Sequence, residues 1–336
     1  MADNLHGGPD ALGLPAHDFS TNANSCGPCP DAVQALQAAH AQQYPDPAYT
    51  ALRARLGAFH GVDAARIVPA GSASEFIHRI SAHAARRGLR HAALPEHSYG
   101  DYAQAASVWG LAISRRPALG GPAPALHWAC EPSSPLGRAD PALAQWQACA
   151  PPGPDLRVLD CAYEPLRLDG QRSALPAGAW QVWTPNKALG MTGVRAAYAI
   201  APEGTPQAQI DALRALAPSW VVGAHGVAML QAWVMPEVQA WLARSLDTLR
   251  HWKARQLALC QRLGWAVLPG HQANYFVARL PLDPADLPAR LASLRSQGIK
   301  LRDARSFGLP GHVRLGVMAP VAQAALERAW LSLSDT

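Results

Sequence analysis

The segment Thr184-Pro185-Asn186-Lys187-Ala188-Leu189-Gly190-Met191-Thr192-Gly193-Val194-Arg195 sets one lysine in a glycine-punctuated turn directly after an apolar run. Lysine is seldom placed where it loses water. Desolvation and neighbouring cations lower the pKa of an amine, which is what a Schiff-base nucleophile needs. Arg195 stands eight residues on, at the start of the next apolar run, and suits bidentate binding of a phosphate. Taken alone, this spacing describes a solvated turn lysine equally well.

Three further segments change the balance. Leu159-Asp160-Cys161-Ala162-Tyr163 puts an acid at the carboxyl end of an apolar run, with a tyrosine three residues later. An acid so placed can keep a ring nitrogen protonated, and Tyr163 can donate to a phenolate oxygen. Pro69-Ala70-Gly71-Ser72-Ala73-Ser74 precedes a helical pattern, so the backbone of Gly71, Ser72 and Ala73 and the Ser72 hydroxyl suit a phosphate. Tyr99 follows another short apolar run and can stack on an aromatic cofactor. Each has a plainer role open to it: a capping acid, an N-cap serine, a core tyrosine. The order along the chain carries the argument: phosphate turn, aromatic, small-residue loop, Asp-x-x-Tyr, Lys, Arg.

These groups need elements to hold them. Periodicity predicts helices over residues 32–43, 49–60, 75–86, 102–109 and near 141–149. It predicts strands over 66–71, 92–95, 111–114, 126–129, 156–160, 180–184 and 195–200. Strands alternating with helices imply a mainly parallel sheet covered on both faces, a three-layer αβα arrangement with ligands at the carboxyl ends of the strands. Residues 223–260 read as nearly continuous helix, broken near Pro236. Residues 265–331 read as strand, helix, strand, strand, helix, a small α+β unit rigidly joined to the first.

Composition narrows the class. The 336 residues are 49% hydrophobic and only 16% charged, against about a quarter charged in an average domain. That excludes a disordered chain, and no run approaches the roughly 20 apolar residues of a membrane span. Residues 1–15 carry acids and glycines where a signal peptide needs a basic patch and an apolar core, so a cytoplasmic protein is expected. The net charge of +5 is scattered as single arginines and the pairs Arg86-Arg87 and Arg115-Arg116, which does not point to nucleic acid. Of six cysteines, Cys26 and Cys29 form a C-x-x-C in a Gly/Pro loop. No second pair completes a zinc site, so no metal is expected and the thiols are read as reduced and incidental.

The motif order resembles the fold-type I pyridoxal-phosphate enzymes of aminotransferase class I/II, over essentially the whole chain. Lys187, Gly190, Gly193 and Arg195 match that family's K-x-x-G-x-x-G-x-R, and Asp160, Ala162 and Tyr163 match its D-x-A-Y. The resemblance implies pyridoxal 5'-phosphate as cofactor, joined to Lys187, with Asp160 at the ring nitrogen and Tyr163 at the phenolate. Arg195, Thr184 and the turn of Gly71, Ser72 and Ala73 would meet the phosphate. Gln43-Tyr44-Pro45-Asp46-Pro47 looks like the family's R-Y-P-D-P, whose tyrosine reaches the partner subunit's cofactor phosphate, so a homodimer with shared sites is implied. His312-Val313-Arg314-Leu315-Gly316 looks like the strand whose arginine holds the substrate carboxylate. Domain organisation follows: residues 1–30 an arm on the small domain, 31–222 the large cofactor-binding domain, 223–336 the long helix and small α+β domain.

Within the family, Leu5-His6-Gly7-Gly8 and Asp18-Phe19-Ser20-Thr21-Asn22-Ala23-Asn24 are similar to threonine-phosphate decarboxylases of cobalamin synthesis. There the matching His6 and Asn22 help bind the substrate phosphate, and Arg302 is a candidate second anion clamp beside Arg314. Histidinol-phosphate aminotransferases share most motifs and usually lack the H-G-G entry. A third reading, a catalytically weak cofactor-binding regulator, has no DNA-binding segment to support it. Two positions depart from the family: Ser134 stands where an asparagine bonds the phenolate, and Asn186 replaces a hydroxyl residue that commonly touches phosphate. Serine is shorter and offers one donor instead of two. The substrate expected is a small anionic amino acid or amine. Loss of its carboxylate or of its Cα proton depends on how the anion clamps orient it.

Overall fold

The computed structural model describes residues 7–115, 124–148, 153–172 and 174–333. A short strand, β1 (His17–Asp18), is followed by seven that form one sheet. These are β2 (Ile67–Ala70), β3 (His91–Leu94), β4 (Ala112–Arg115), β5 (Ala125–Cys130), β6 (Leu156–Asp160), β7 (Trp180–Trp183) and β8 (Ala197–Ile200). Their order across the sheet is β2-β8-β7-β6-β5-β3-β4. β3, β4, β5, β6 and β7 pair in parallel. β8 runs antiparallel to both of its neighbours, β7 and β2. The carboxyl ends of six strands therefore share one edge with the amino end of β8. The turns carrying Gly71, Tyr99, Ser134, Tyr163 and Lys187 all leave from that edge, and Arg195 enters β8 there.

Alternation along the strands sends side chains into two cores, one on each face of the sheet. Val68, Val158, Ala197 and Ala199 point into a core with Phe76, Ile77 and Ile80 of the helix Ala73–Arg86. Ile67, Leu159, Tyr198 and Ile200 point into the other, with Met229 and Trp233 of the helix Ala224–Trp233. This is the three-layer αβα arrangement expected. The second core continues into the C-terminal unit through Phe276 and Leu315.

That unit follows the 27-residue helix Pro236–Arg262. It contains β9 (Ala266–Val267), β10 (Tyr275–Arg279), β11 (Ile299–Lys300), β12 (Arg302–Asp303) and β13 (His312–Gly316), with helices Leu287–Ser296 and Pro320–Ser332. β12-β13-β10-β9 form an antiparallel sheet. β1 pairs in parallel with β11, so the N-terminal segment is stitched to this unit.

The elements differ from the periodicity reading in places. The first helix is Pro30–Gln37, starting at a proline whose fixed φ suits the first turn and ending six residues short of position 43. Beyond Gln37 the segment is mostly exposed, so helix propensity there has no packing to support it. The helix Gln207–Arg214 and the two-residue strands β1, β11 and β12 carry no periodic signal long enough to read.

One contact positions the Lys187 turn. Asn24 N–H donates to the Lys187 carbonyl at 2.8 Å and Cys29 N–H to that of Leu189 at 2.9 Å. Asn24 Nδ2 donates to the Ala188 carbonyl at 3.0 Å. The approach needs two glycines face to face. A Cβ on Gly27 would stand 2.9 Å from Gly190 Cα, and one on Gly190, at φ +68°, would stand 2.8 Å from Gly27 Cα. Gly190→Ala is therefore expected to destabilise the fold by about 2 kcal/mol or more. Gly193→Ala, where nothing lies within 4 Å, should stay within about 0.5 kcal/mol of the parent in urea unfolding. Equal stabilities would contradict this role for the contact.

Candidate active site

Asp160 ends β6 and is 5% exposed. Its Oδ2 accepts from the Tyr102 hydroxyl at 2.6 Å and its Oδ1 from the Ala162 N–H at 2.9 Å. Burial pushes its pKa up, while the Tyr102 hydrogen bond and the Lys187 charge pull it back. Tyr102 lies in the helix Gly100–Val108, its ring stacked on Trp128 at 4.4 Å and 12°. Burial and the Asp160 charge push its own pKa well above the usual phenol range, so it stays a donor. Nothing in the sequence marked Tyr102 beyond an aromatic in a helical run.

Lys187 is half-buried in the turn between β7 and β8, with Nζ 5.2 Å from the centroid of the Tyr163 ring. The Tyr163 hydroxyl accepts from Asn22 Nδ2 at 3.4 Å, and its ring meets Tyr275 edge-on at 4.6 Å. Thr184 Oγ1 donates to Asn186 Oδ1 at 2.8 Å. Asn186 Nδ2 in turn donates to the carbonyls of Thr192 (3.4 Å) and Val194 (3.3 Å). Here Asn186 braces the lysine turn, a use for an amide that a shorter hydroxyl could not match.

At the start of the helix Ala73–Arg86, Ser72 is the N-cap and its Oγ accepts from Glu75 N–H at 3.0 Å. That leaves the hydroxyl proton free to donate. The Gly71 N–H donates to Glu75 Oε2 at 3.1 Å, and a Cβ on Gly71 would stand 2.9 Å from the Val221 carbonyl. The Tyr99 hydroxyl lies 3.3 Å from Ser74 Oγ. Arg195 is exposed, with no hydrogen-bond or ion-pair partner among the described residues.

Two arginines of the C-terminal unit face one another. Arg302 of β12 and Arg314 of β13 are direct partners in the register, and are 6% and 7% exposed. Both guanidiniums lie over the Phe307 ring, at 4.8 and 5.3 Å from its centroid. Arg302 donates to the Asp303 carbonyl and to Ser306 Oγ, both at 2.8 Å. Arg314 donates to Ser134 Oγ at 3.3 Å and to the Ser20 carbonyl at 3.1 Å, while its buried Nε has no partner among the described residues. No carboxylate reaches Arg314 among the described residues. Burial and the Arg314 charge lower the Arg302 pKa to about 10. Like charges opposed across two strands repel, and an anion between them relieves the repulsion.

The remaining expected positions fall as follows. Ser134 is buried against Arg314, on the side of the arginine pair. Asn22 is buried, and its Oδ1 is an acceptor without a partner among the described residues. Asn274 Nδ2 holds the carbonyls of Asn22 and Ala23 at 3.2 and 3.1 Å. His6 lies outside the described residues. Tyr44 is 76% exposed and stacks on Trp220 at 4.2 Å. Burial raises the Cys26 thiol to about 11, which keeps it protonated and unreactive near neutral pH. No described helix is long and apolar enough to cross a membrane.

Tyr102→Phe keeps the stack on Trp128 and removes one hydrogen bond that lowers the Asp160 pKa. The carboxyl then titrates higher, so the acid limb of the kcat/KM profile is expected to move to higher pH. An unmoved limb would show that Asp160 does not set it.

The chain is similar to known proteins in sequence and in fold. The sequence matches the aminotransferase class I and II family over residues 14–333. Histidinol-phosphate aminotransferase of Hyphomonas neptunium is 28% identical, covering 93% of this chain and 88% of that enzyme. Histidinol-phosphate aminotransferase 2 of Caulobacter vibrioides is 29% identical, covering 92% and 84%. Among solved structures, the histidinol-phosphate aminotransferase of Sinorhizobium meliloti in complex with pyridoxal-5'-phosphate superposes with a TM-score of 0.81. It is 20% identical and covers 99% of this chain and 98% of that one. L-threonine-O-3-phosphate decarboxylase of Porphyromonas gingivalis superposes at 0.74, also 20% identical, covering 94% and 97%. The chain belongs to the aminotransferase class I and II family, and is an enzyme whose cofactor is pyridoxal 5'-phosphate.

Proposed function

We propose that this enzyme acts on a small phosphorylated amino acid, and that its reaction is decarboxylation of L-threonine O-3-phosphate, as in cobalamin synthesis. The observation that carries the reading is the buried pair Arg302 and Arg314, directly opposed over one phenyl ring. Such a pair suits a ligand with two anionic groups, and L-threonine O-3-phosphate has a carboxylate and a phosphate. Histidinol phosphate has the phosphate alone.

The donor set fits the cofactor. Arg195 is an exposed cation without a side-chain partner among the described residues, at the same sheet edge as the Ser72 hydroxyl and the first-turn N–H groups of a 14-residue helix, a natural phosphate cradle. Asp160 is buried and held by Tyr102, ready for a ring nitrogen. In this reading Lys187 holds the aldehyde carbon, Asp160 the ring nitrogen, and Tyr163 and Ser134 the phenolate side. Tyr99 covers a ring face, and Gly71, Ser72, Ala73, Thr184 and Arg195 hold the phosphate. Bound pyridoxal phosphate supplies an electron sink for the bond broken at Cα. The chain's own residues choose that bond: the arginine pair and Asn22 fix the carboxylate's direction, and Lys187 Nζ returns a proton to Cα.

Transamination of the histidinol-phosphate type is the second reading, and the curated relatives named above favour it. In that reaction a Cα proton would be lost instead of a carboxylate, and Arg314 would bind the carboxylate of the amino-acid donor or 2-oxo acid acceptor. Holoenzyme incubated with L-threonine O-3-phosphate is expected to release CO2. No CO2, with an oxo acid formed from an amino donor when a 2-oxo acid acceptor is added, would overturn the decarboxylase reading. Exposed Tyr44, stacked on Trp220, reaches a cofactor phosphate only in a homodimer with shared sites. Sedimentation is expected to find a dimer, and a fully active monomer would contradict it.

A further inference from the structure

His97 lies in the loop after β3, two residues before Tyr99. Arg115, at the end of β4, ties this loop down: its Nη1 donates to the carbonyls of Pro95 (3.0 Å) and Glu96 (2.8 Å) and to Ser98 Oγ (3.3 Å). From that base His97 reaches across to the C-terminal unit, with Nδ1 2.7 Å from the Phe307 carbonyl oxygen. A carbonyl only accepts, so Nδ1 carries the proton and donates. Nε2 faces the Glu96 carboxylate at 3.9 Å.

Phe307 closes the 3-10 turn Arg305–Phe307, and two side chains of the turn touch the arginine pair. Its phenyl ring lies under both guanidiniums, and Ser306 Oγ accepts from Arg302. Gly308 follows at φ +81°, where a Cβ would stand 3.4 Å from His97 Nδ1. The histidine is thus seated closely against the turn.

We propose that His97 is a positioning residue that sets anion specificity: by holding the Phe307 carbonyl, it fixes the ring beneath Arg302 and Arg314 against the Tyr99 side of the site. The inference rests on the reading of that pair as a clamp for a two-anion ligand. His97 acts through Phe307, and the pair's spacing follows from where the turn is held.

The test uses holoenzyme and 3-phosphoglycerate, which has a carboxylate and a phosphate but no amine to react. Calorimetry is expected to find His97→Phe, which keeps an aromatic ring and lacks the donor, binding about five- to tenfold more weakly than the parent. His97→Asn, whose amide can donate to the same carbonyl, should come within about twofold of the parent. If the Phe variant does not fold, His97→Ala takes its place in the comparison. Unchanged affinity in the donor-less variant, or equal loss in the Asn variant, overturns the role of His97 and leaves the two-anion reading standing. Parent enzyme that does not bind 3-phosphoglycerate overturns the two-anion reading, and this inference with it.

Discussion

A carboxylate buried at the end of β6 is the constraint that organises this molecule. Asp160 loses most of its water, and a buried charge is tolerated only with hydrogen bonds and opposite charge close by. Tyr102 provides one bond, the Ala162 N–H another, and Lys187 the charge. Each comes from a different place. Tyr102 depends on the helix after β3 and on its stack with Trp128 of β5. Lys187 depends on a turn after β7 that is gripped by Asn24 and Cys29 and shaped by the Gly27–Gly190 contact. The parallel sheet is what lets these strands deliver their turns to one edge. The reversal of β8 adds Arg195 to the same edge instead of sending it to the far side.

The C-terminal unit gathers a second set of buried charges. Arg302 and Arg314 are placed opposite one another by strand register, with a phenyl ring below, and among the described residues Arg314 donates only to neutral acceptors. Like charges placed so close repel, which is the ground for the proposal that an anionic ligand binds there. The N-terminal segment takes part on both sides: Ser20 accepts from Arg314, and Asn22 donates to Tyr163. A single stretch of chain therefore connects the arginine pair with Tyr163, beside Lys187.

Much of this was legible in the sequence where the chemistry is local. Lys187 and Arg195 flank one turn, Asp160 and Tyr163 another, and Gly71 to Ala73 open one helix, so chain spacing alone brings each group together. Most strands were legible because continuous apolar runs are buried on both faces. What was hidden depends on pairing between distant segments. Tyr102 meets Asp160 across 58 positions. The opposition of Arg302 to Arg314 follows from a two-residue strand too short to leave a pattern. Phe307 and His97 meet across the two units, and neither carries a motif. Ser134 read as a shortened cofactor contact, yet its hydroxyl also accepts from Arg314, a partner that only the fold supplies.

The central claim is that Lys187, facing Asp160 and Tyr163, is the amine that holds the cofactor. Borohydride treatment of the holoenzyme, followed by peptide mass spectrometry, tests it most directly. The account predicts that the reduced cofactor's mass is found on the peptide containing Lys187 and is lost in Lys187→Ala. The same mass on another lysine, or undiminished labelling of the Lys187→Ala variant, would contradict it.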